Sequence, residues 1–243
     1  MTRKLNFVVI LLLTSFLTWA QAPSPSTPAI EARANALLKQ LSLEEKMDLI
    51  GGFNDFYIRE IKHIGLPALK MADGPFGVRN YGPSTTFGGL GLAATWDRDL
   101  AERMGAVIGQ DARARGVHFM LGLGVNISRS PLCGRNFEYF GEDPFLASRT
   151  AVAYIKGMQS QGVSATIKHY MGNNQEFLRH DADSIIDERT MREIYLPTFE
   201  AAVKEANVGA IMDSYNLING QHATQNSYLN NEIAKADWAS KAS

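Results

Sequence analysis

The chain of 243 residues has one cysteine, Cys133, so no internal disulfide can form and the fold must be held by its core. No Cys-His motif surrounds that thiol, which reads as a buried, inert side chain rather than a nucleophile. Histidine is scarce as well. The five, at positions 63, 118, 169, 180 and 222, show no H-E-x-x-H or comparable ligand spacing, and no metal is expected. His118 falls inside an apolar run and reads as a satisfied core histidine. There is no Walker A loop and no G-x-S-x-G elbow, although composition alone leaves a Ser/His/Asp triad open. The glycine cluster "GGLGLAA" places Gly89, Gly91 and Ala94 at dinucleotide-like spacing, but "STTF" before it is a poor strand. A loop passing close to other backbone explains it better than a nucleotide, and no cofactor is expected.

Concentrated positive charge is missing too. Lys and Arg number 24 against 25 Asp and Glu, a net charge of −1, with no basic stripe. Phosphate binding needs clustered cations, so nucleic acid is not a partner. A long apolar run occurs only at the start, where Arg3 and Lys4 precede "FVVILLLTSF" and Ala20-Gln21-Ala22 fits a cleavage site. The run falls short of the about 20 residues of a membrane span. Residues 1–22 therefore read as a signal peptide, which implies export to the periplasm or beyond and no membrane contact after cleavage. Its removal leaves 22 basic against 25 acidic residues, a net −3.

What remains is 45% hydrophobic over the whole chain, enough for one substantial core. "PSPSTP" begins a segment, 23–35, that holds a linker and the start of a first helix; 36–243 is the domain proper. Thr27 and Pro28 open that helix, with Ile30, Leu37, Leu38 and Leu41 as its apolar positions. Ser42 and Glu45 read as a capping box for the next, which stops at Gly51-Gly52. Asp97 starts a helix with Leu100, Met104, Val107 and Ile108 on one side, ending near Gly116. Asp143-Pro144 starts another that runs to Gly162. A further helix spans 188–207, with Pro197 the place for a bend.

After these helices come "VHFML", "VSATI" and "VGAIM", and "PALKM" lies upstream; each suits a strand buried on both faces. Helix, stop and buried strand in repetition predict an α/β protein with a parallel sheet. The strands also end alike: in Asp73-Gly74-Pro75, in Asn126 with Arg135 beyond, in Lys168-His169, and in Asp213-Ser214-Tyr215-Asn216. Polar chemistry past the carboxyl ends of parallel strands suits a (β/α)8 barrel, though a doubly wound sheet would put its ligand there too. Asp73, Arg135, Lys168, His169 and Tyr215, if they converge, could hold a polyol. Lys168 and His169 are adjacent and would alternate across a strand, so the rim must turn both inward.

The segments "LSLEEK", "MADGPFGVR", "SRSPLCGRNFEYFGEDP", "IKHYMGNNQE" and "DERTMREIYLPTFEAAVKEANVGAIMDSYNLING" resemble, in order, the family 3 glycoside hydrolases, and among them the exported bacterial β-glucosidases. The likeness runs from about Leu37 to about Asp237. It implies a (β/α)8 TIM-like barrel and a terminal β-linked glucose or xylose, within a β-glucoside or oligosaccharide, as substrate. Asp73 would take hydroxyls on the far side of the ring. Arg135, Lys168 and His169 would hold neighbouring hydroxyls, and Met212 and Tyr215 would pack near the anomeric centre.

The same resemblance exposes a departure. Retaining glycosidases need two carboxyl groups about 5–5.5 Å apart. The family's nucleophile is the aspartate of "SDW", on the strand after the helix that here begins "NSYLNNEIAK". In this sequence that helix runs into "ADWASKAS", with no apolar strand before Asp237. The nucleophile is thus expected beyond residue 243 and the acid/base in a second domain. The barrel should then be incomplete, lacking its closing strands, and the chain inactive alone or a sugar-binding module. Of the other carboxylates, Asp143 reads as a helix cap, while Glu138 and Glu176 should orient Arg135 and Lys168. Asp213 lies beside two of the proposed contacts in "IMDSYN", yet strand alternation would turn it away from the side of Met212.

Overall fold

The computed structural model describes residues 28–238; the signal-peptide reading of 1–22 and the first part of the 23–35 linker lie outside them. α1 (Pro28–Leu38) and α2 (Leu43–Ile50) come first. The capping box forms, with Glu45 N–H donating to Ser42 Oγ at 3.2 Å and Ser42 N–H to Glu45 Oε2 at 2.9 Å. Neither helix buries a residue. Leu41, expected within the first helix, is buried in the connection after it.

β1 (Tyr57–Ile58) runs antiparallel to β2 (Leu69–Asp73). The chain then passes through α3 (Gly89–Ala93) and α4 (Arg98–Ala114) to β3 (Phe119–Leu121), and through α5 (Pro144–Gln159) to β4 (Ser164–Tyr170). β5 (Asp183–Ser184), α6 (Glu188–Thr190) and α7 (Pro197–Ala206) lead to β6 (Ala210–Asp213). Both carboxylate caps are in place: Asp97 accepts from Leu100 N–H at 2.9 Å and Asp143 from Leu146 N–H at 2.7 Å.

β2, β3, β4 and β6 lie side by side in chain order, all parallel. A doubly wound sheet reverses its order at a switch point; an arc that advances strand by strand keeps its helices on one side. The fold is therefore part of a TIM-like barrel. Among the described residues the sheet does not close, and β6 pairs within it only with β4. The strands bury Ala72, Met120, Ala165 and Ile167 against Ile108, Ala112, Ile155, Met158 and Phe199 of the helices.

α4 and α5 meet backbone to backbone. A methyl group added at Gly105 would land on the carbonyl of Tyr154, and one at Gly157 on the carbonyl of Glu102. Their missing side chains set how closely the two helices approach.

Two expectations are corrected. "GGLGLAA" is not a loop but the short helix α3, although Gly89 does sit tightly, with an added Cβ only 3.1 Å from Tyr139 O. His118 precedes β3 and is exposed, its Nδ1 accepting from Lys70 N–H at 3.0 Å, so it is not a core histidine. The helix expected over 188–207 is present, interrupted next to Pro197 as expected: α6, a wide π turn at Met191–Tyr195, and α7. Pro197 has no N–H to continue the ladder, and the turn before it widens.

A second, small sheet went unforeseen. β7 (Leu217–Ile218) joins β8 (Gln221–His222) through Asn219 and Gly220, at φ 51° and 86°, and β5 pairs with β7. Asn-Gly between two short runs is a signature of a tight hairpin turn, and it was there to be read.

Candidate active site

The four parallel strands bring their carboxyl ends to one open hollow of about 1100 Å³. All six residues singled out from the sequence, Asp73, Arg135, Lys168, His169, Met212 and Tyr215, line it. Asp73 closes β2, and Met212 lies one residue before the end of β6, with Tyr215 two residues beyond it. Arg135 comes from the long connection between β3 and α5, next to a 3-10 turn at Asn136–Glu138.

Lys168 and His169 lie within β4 rather than after it, and both are buried, at 3% and 4% exposure. Opposite them Lys168 pairs with Met212 and Tyr170 with Asp213, so His169 is an extra residue in the ladder. Such a bulge breaks the two-residue alternation, which is how neighbouring side chains come to line one cavity. The Lys168–His169 peptide is cis. The extra residue is in β4, so β6 keeps its alternation: Asp213 borders the hollow, but it also lines a recess with Tyr170 and Lys235, in keeping with the expectation that it turns from the side of Met212.

The charges are paired. Lys168 Nζ donates to Asp73 Oδ1 at 2.7 Å, and Arg79 NH1 to Asp73 Oδ2 at 3.2 Å. Burial pushes the Asp73 carboxyl up, but Lys168 and Arg79 together outweigh it and hold the group below the usual carboxylate range. Arg135 Nε meets buried Glu138 Oε1 at 2.5 Å, as expected of Glu138. Burial would weaken the Arg135 cation, yet Glu138 more than offsets that and raises its pKa. Glu176 does not orient Lys168. It accepts from Arg179 NH1 at 2.9 Å and from Asn173 Nδ2 at 3.0 Å, and lies 3.9 Å from Arg135 Nε. Lys168 is already satisfied by Asp73, which leaves Glu176 to the arginines.

His169 is pulled down to about 2 by burial first and then by the cations Arg135, Lys168 and Arg179. It is neutral at any working pH. Asp213 moves the other way, to about 6, because burial exceeds the help from Lys235. Phe76 and Phe137 form an apolar wall, their ring centroids 5.2 Å apart. Tyr215 sits at the mouth, 53% exposed, with the Arg179 guanidinium 4.8 Å above its ring and His180 at 4.6 Å.

Arg79 and Arg179 were missed by the sequence reading. Arg79 lies six residues after Asp73 in "MADGPFGVR", and the loop folds back on itself, Arg79 N–H donating to Asp73 O at 2.8 Å; no local sequence pattern marks that return. Asp237 is elsewhere: it pairs with Arg192 at 3.0 Å on an exposed face.

The family model for the glycosyl hydrolase family 3 N terminal domain matches residues 35–241. The chain belongs to this family. It is 46% identical over 215 residues to thermostable beta-glucosidase B of Acetivibrio thermocellus, covering 83% of this chain and 28% of that protein. A beta-glucosidase of Bacteroides ovatus is 44% identical, over 87% of this chain and 30% of its own length. Among solved structures, beta-glucosidase 3B from Thermotoga neapolitana in complex with glucose superposes with a TM-score of 0.82 at 39% identity, covering 86% of this chain and 33% of that one. The beta-glucosidase from Kluyveromyces marxianus in complex with glucose gives 0.82 at 39%, over 85% and 26%. The sequence thus spans less than a third of the length of these two curated relatives.

Proposed function

We propose that the chain supplies the sugar-binding part of a retaining β-glucosidase-like hydrolase acting on terminal β-linked glucose or xylose. The observation that carries this is the meeting of Asp73, Arg135, Lys168, His169, Met212 and Tyr215, drawn from four strand ends and their loops, around one hollow. Charged donors and acceptors at fixed positions suit hydroxyls, because hydrogen bonds to ionised groups are the stronger kind. Phe76, Phe137 and Tyr215 offer apolar surface for the ring or its aglycone.

The carboxylates favour binding over turnover by this chain alone. Asp73, Glu138 and Glu176 are each held by a cation, and Asp213 borders the recess of Tyr170 and Lys235 as well as the hollow. None of the three cation-held carboxylates is free to attack an anomeric carbon. On this reading the nucleophile and the acid/base belong to sequence beyond residue 243, as the departure at "ADWASKAS" suggests. The protein would be exported, with residues 1–22 removed; the amino-terminal sequence of secreted material tests that.

Calorimetric titration of the chain with glucose should show binding that Lys168→Met weakens, while an aryl β-glucoside should not be hydrolysed. Absence of any sugar affinity would end the binding assignment. Hydrolysis abolished by Asp237→Asn would end the placement of the nucleophile elsewhere.

A further inference from the structure

Asn126 lies on the chain just past β3, 3% exposed, and was noted from sequence only as polar chemistry at a strand end. It clasps the backbone of His169 from both sides. Asn126 Nδ2 donates to His169 O at 2.8 Å, and His169 N–H donates to Asn126 Oδ1 at 2.9 Å. These two bonds fix which way the amide points, since a peptide carbonyl can only accept and a peptide N–H can only donate. The same Oδ1 lies 3.2 Å from His169 Nδ1. An amide oxygen has no proton to give, so Nδ1 must carry one. In a neutral imidazole the other nitrogen is then a bare acceptor.

We propose that Asn126 is a positioning residue that locks His169 in the Nδ1–H tautomer, presenting Nε2 to the hollow as a hydrogen-bond acceptor. Among the described residues Nε2 makes no hydrogen bond, and His169 lines the cavity. Arg135, Lys168 and Arg179 surround it and disfavour a second proton. The neighbouring side chains therefore have opposite polarity toward a ligand: Lys168 and Arg135 donate, and His169 accepts. A hydroxyl meeting His169 must give its hydrogen. The nature of the ligand rests on the sugar-binding reading above; the tautomer does not.

The test begins without sugar. Long-range proton–nitrogen correlation spectra of the chain labelled with ¹⁵N in histidine distinguish the two neutral tautomers. His169 should show a protonated Nδ1 and an unprotonated Nε2, unchanged from pH 5 to 8, the range in which an ordinary histidine titrates. Asn126→Leu, which removes the acceptor, should shift it toward the Nε2–H form. A wild-type spectrum with the proton on Nε2 overturns the proposal, as does a folded Asn126→Leu chain with an unaltered His169 pattern; if that variant does not fold, the wild-type spectrum decides. A panel of glucose analogues, each with one hydroxyl replaced by fluorine or by hydrogen, then reads the polarity. At the hydroxyl facing His169 both replacements should weaken binding alike, by about tenfold or more, because fluorine cannot donate. At the positions facing Lys168 or Arg135, fluorine should be better tolerated than hydrogen. Fluorine better tolerated than hydrogen at every position would overturn the proposal. If no sugar binds yet the tautomer is as stated, the sugar assignment falls and the role of Asn126 stands.

Discussion

The α4–α5 seam and the wall of the hollow are built on the same four strands, yet they hide opposite kinds of atom. In the seam, Gly105, Gly109, Ala112 and Gly157 let two backbones touch. In the wall, Lys168, His169 and Glu138 are as deeply buried as the core, at 3%, 4% and 3% exposure. The seam gains from each atom it excludes from water. The wall spends desolvation energy on each charge and recovers it only through partners such as Asp73 and Arg135. A buried ion pair is poor evidence for stability, and its presence here makes sense as preparation for a polar ligand.

Breaking the seam should therefore cost the most. Gly157→Ala gains about 1 kcal/mol of helix propensity, but its methyl group must displace the Glu102 carbonyl, which no rotamer can relieve. The net loss should be about 2 kcal/mol or more, measured by urea denaturation. An unchanged or higher midpoint would mean that the helices are not in backbone contact. Lys168→Met should behave in reverse. Asp73 keeps Arg79 and is partly hydrated, so stability falls by only about 1 kcal/mol, whereas sugar affinity falls by about tenfold or more. Equal losses in both variants of both properties would erase the distinction between seam and wall.

The seam's half of the molecule was legible in the sequence, because repeated helix stops and short apolar runs are local signals. Asp97, Asp143 and the Ser42–Glu45 box cap where the pattern put them. The convergence of the wall was less legible from pattern alone, because pairing across 95 positions, as between Asp73 and Lys168, leaves no local trace. Strand alternation could not put both Lys168 and His169 on one wall; the bulge at His169 is set by tertiary packing that no two-residue period encodes. The helices α1 and α2 mark the opposite failure. Their periodicity was real, but Ile30, Met47 and Ile50 remain exposed among the described residues.

Asp213 sharpens the comparison through pH. Its folded-state value of about 6 lies above the 3.8 of an unstructured aspartate, so the folded chain holds the proton more tightly. The stability this contributes is complete below pH 3.8 and is lost as pH rises through about 6. Asp213→Asn should remove that slope, leaving the variant's melting temperature flatter between those values and relatively higher above them. A wild-type slope of opposite sign, once Asp73 has been accounted for, would place the Asp213 carboxylate in a hydrated or paired setting. Asp73 runs the other way, its contribution fading as pH falls, so Asp73→Asn serves as the control.

The smallest effect is expected at Asp237, which lies in neither region. Its partner Arg192 also meets Glu188 at 2.6 Å, and the Arg192 and Asp237 side chains are 41% and 50% exposed. An exposed pair with a shared cation contributes little, so Asp237→Asn should change stability by less than about 0.5 kcal/mol. Sugar affinity should not move, because Asp237 faces solvent and Arg192 rather than the hollow. Calorimetric titration with glucose and a denaturation curve on the same preparation check both. A loss of affinity approaching that of Lys168→Met would mean that the wall extends to this face, and that the last helical stretch, Tyr228–Asp237, belongs to the site rather than to its support.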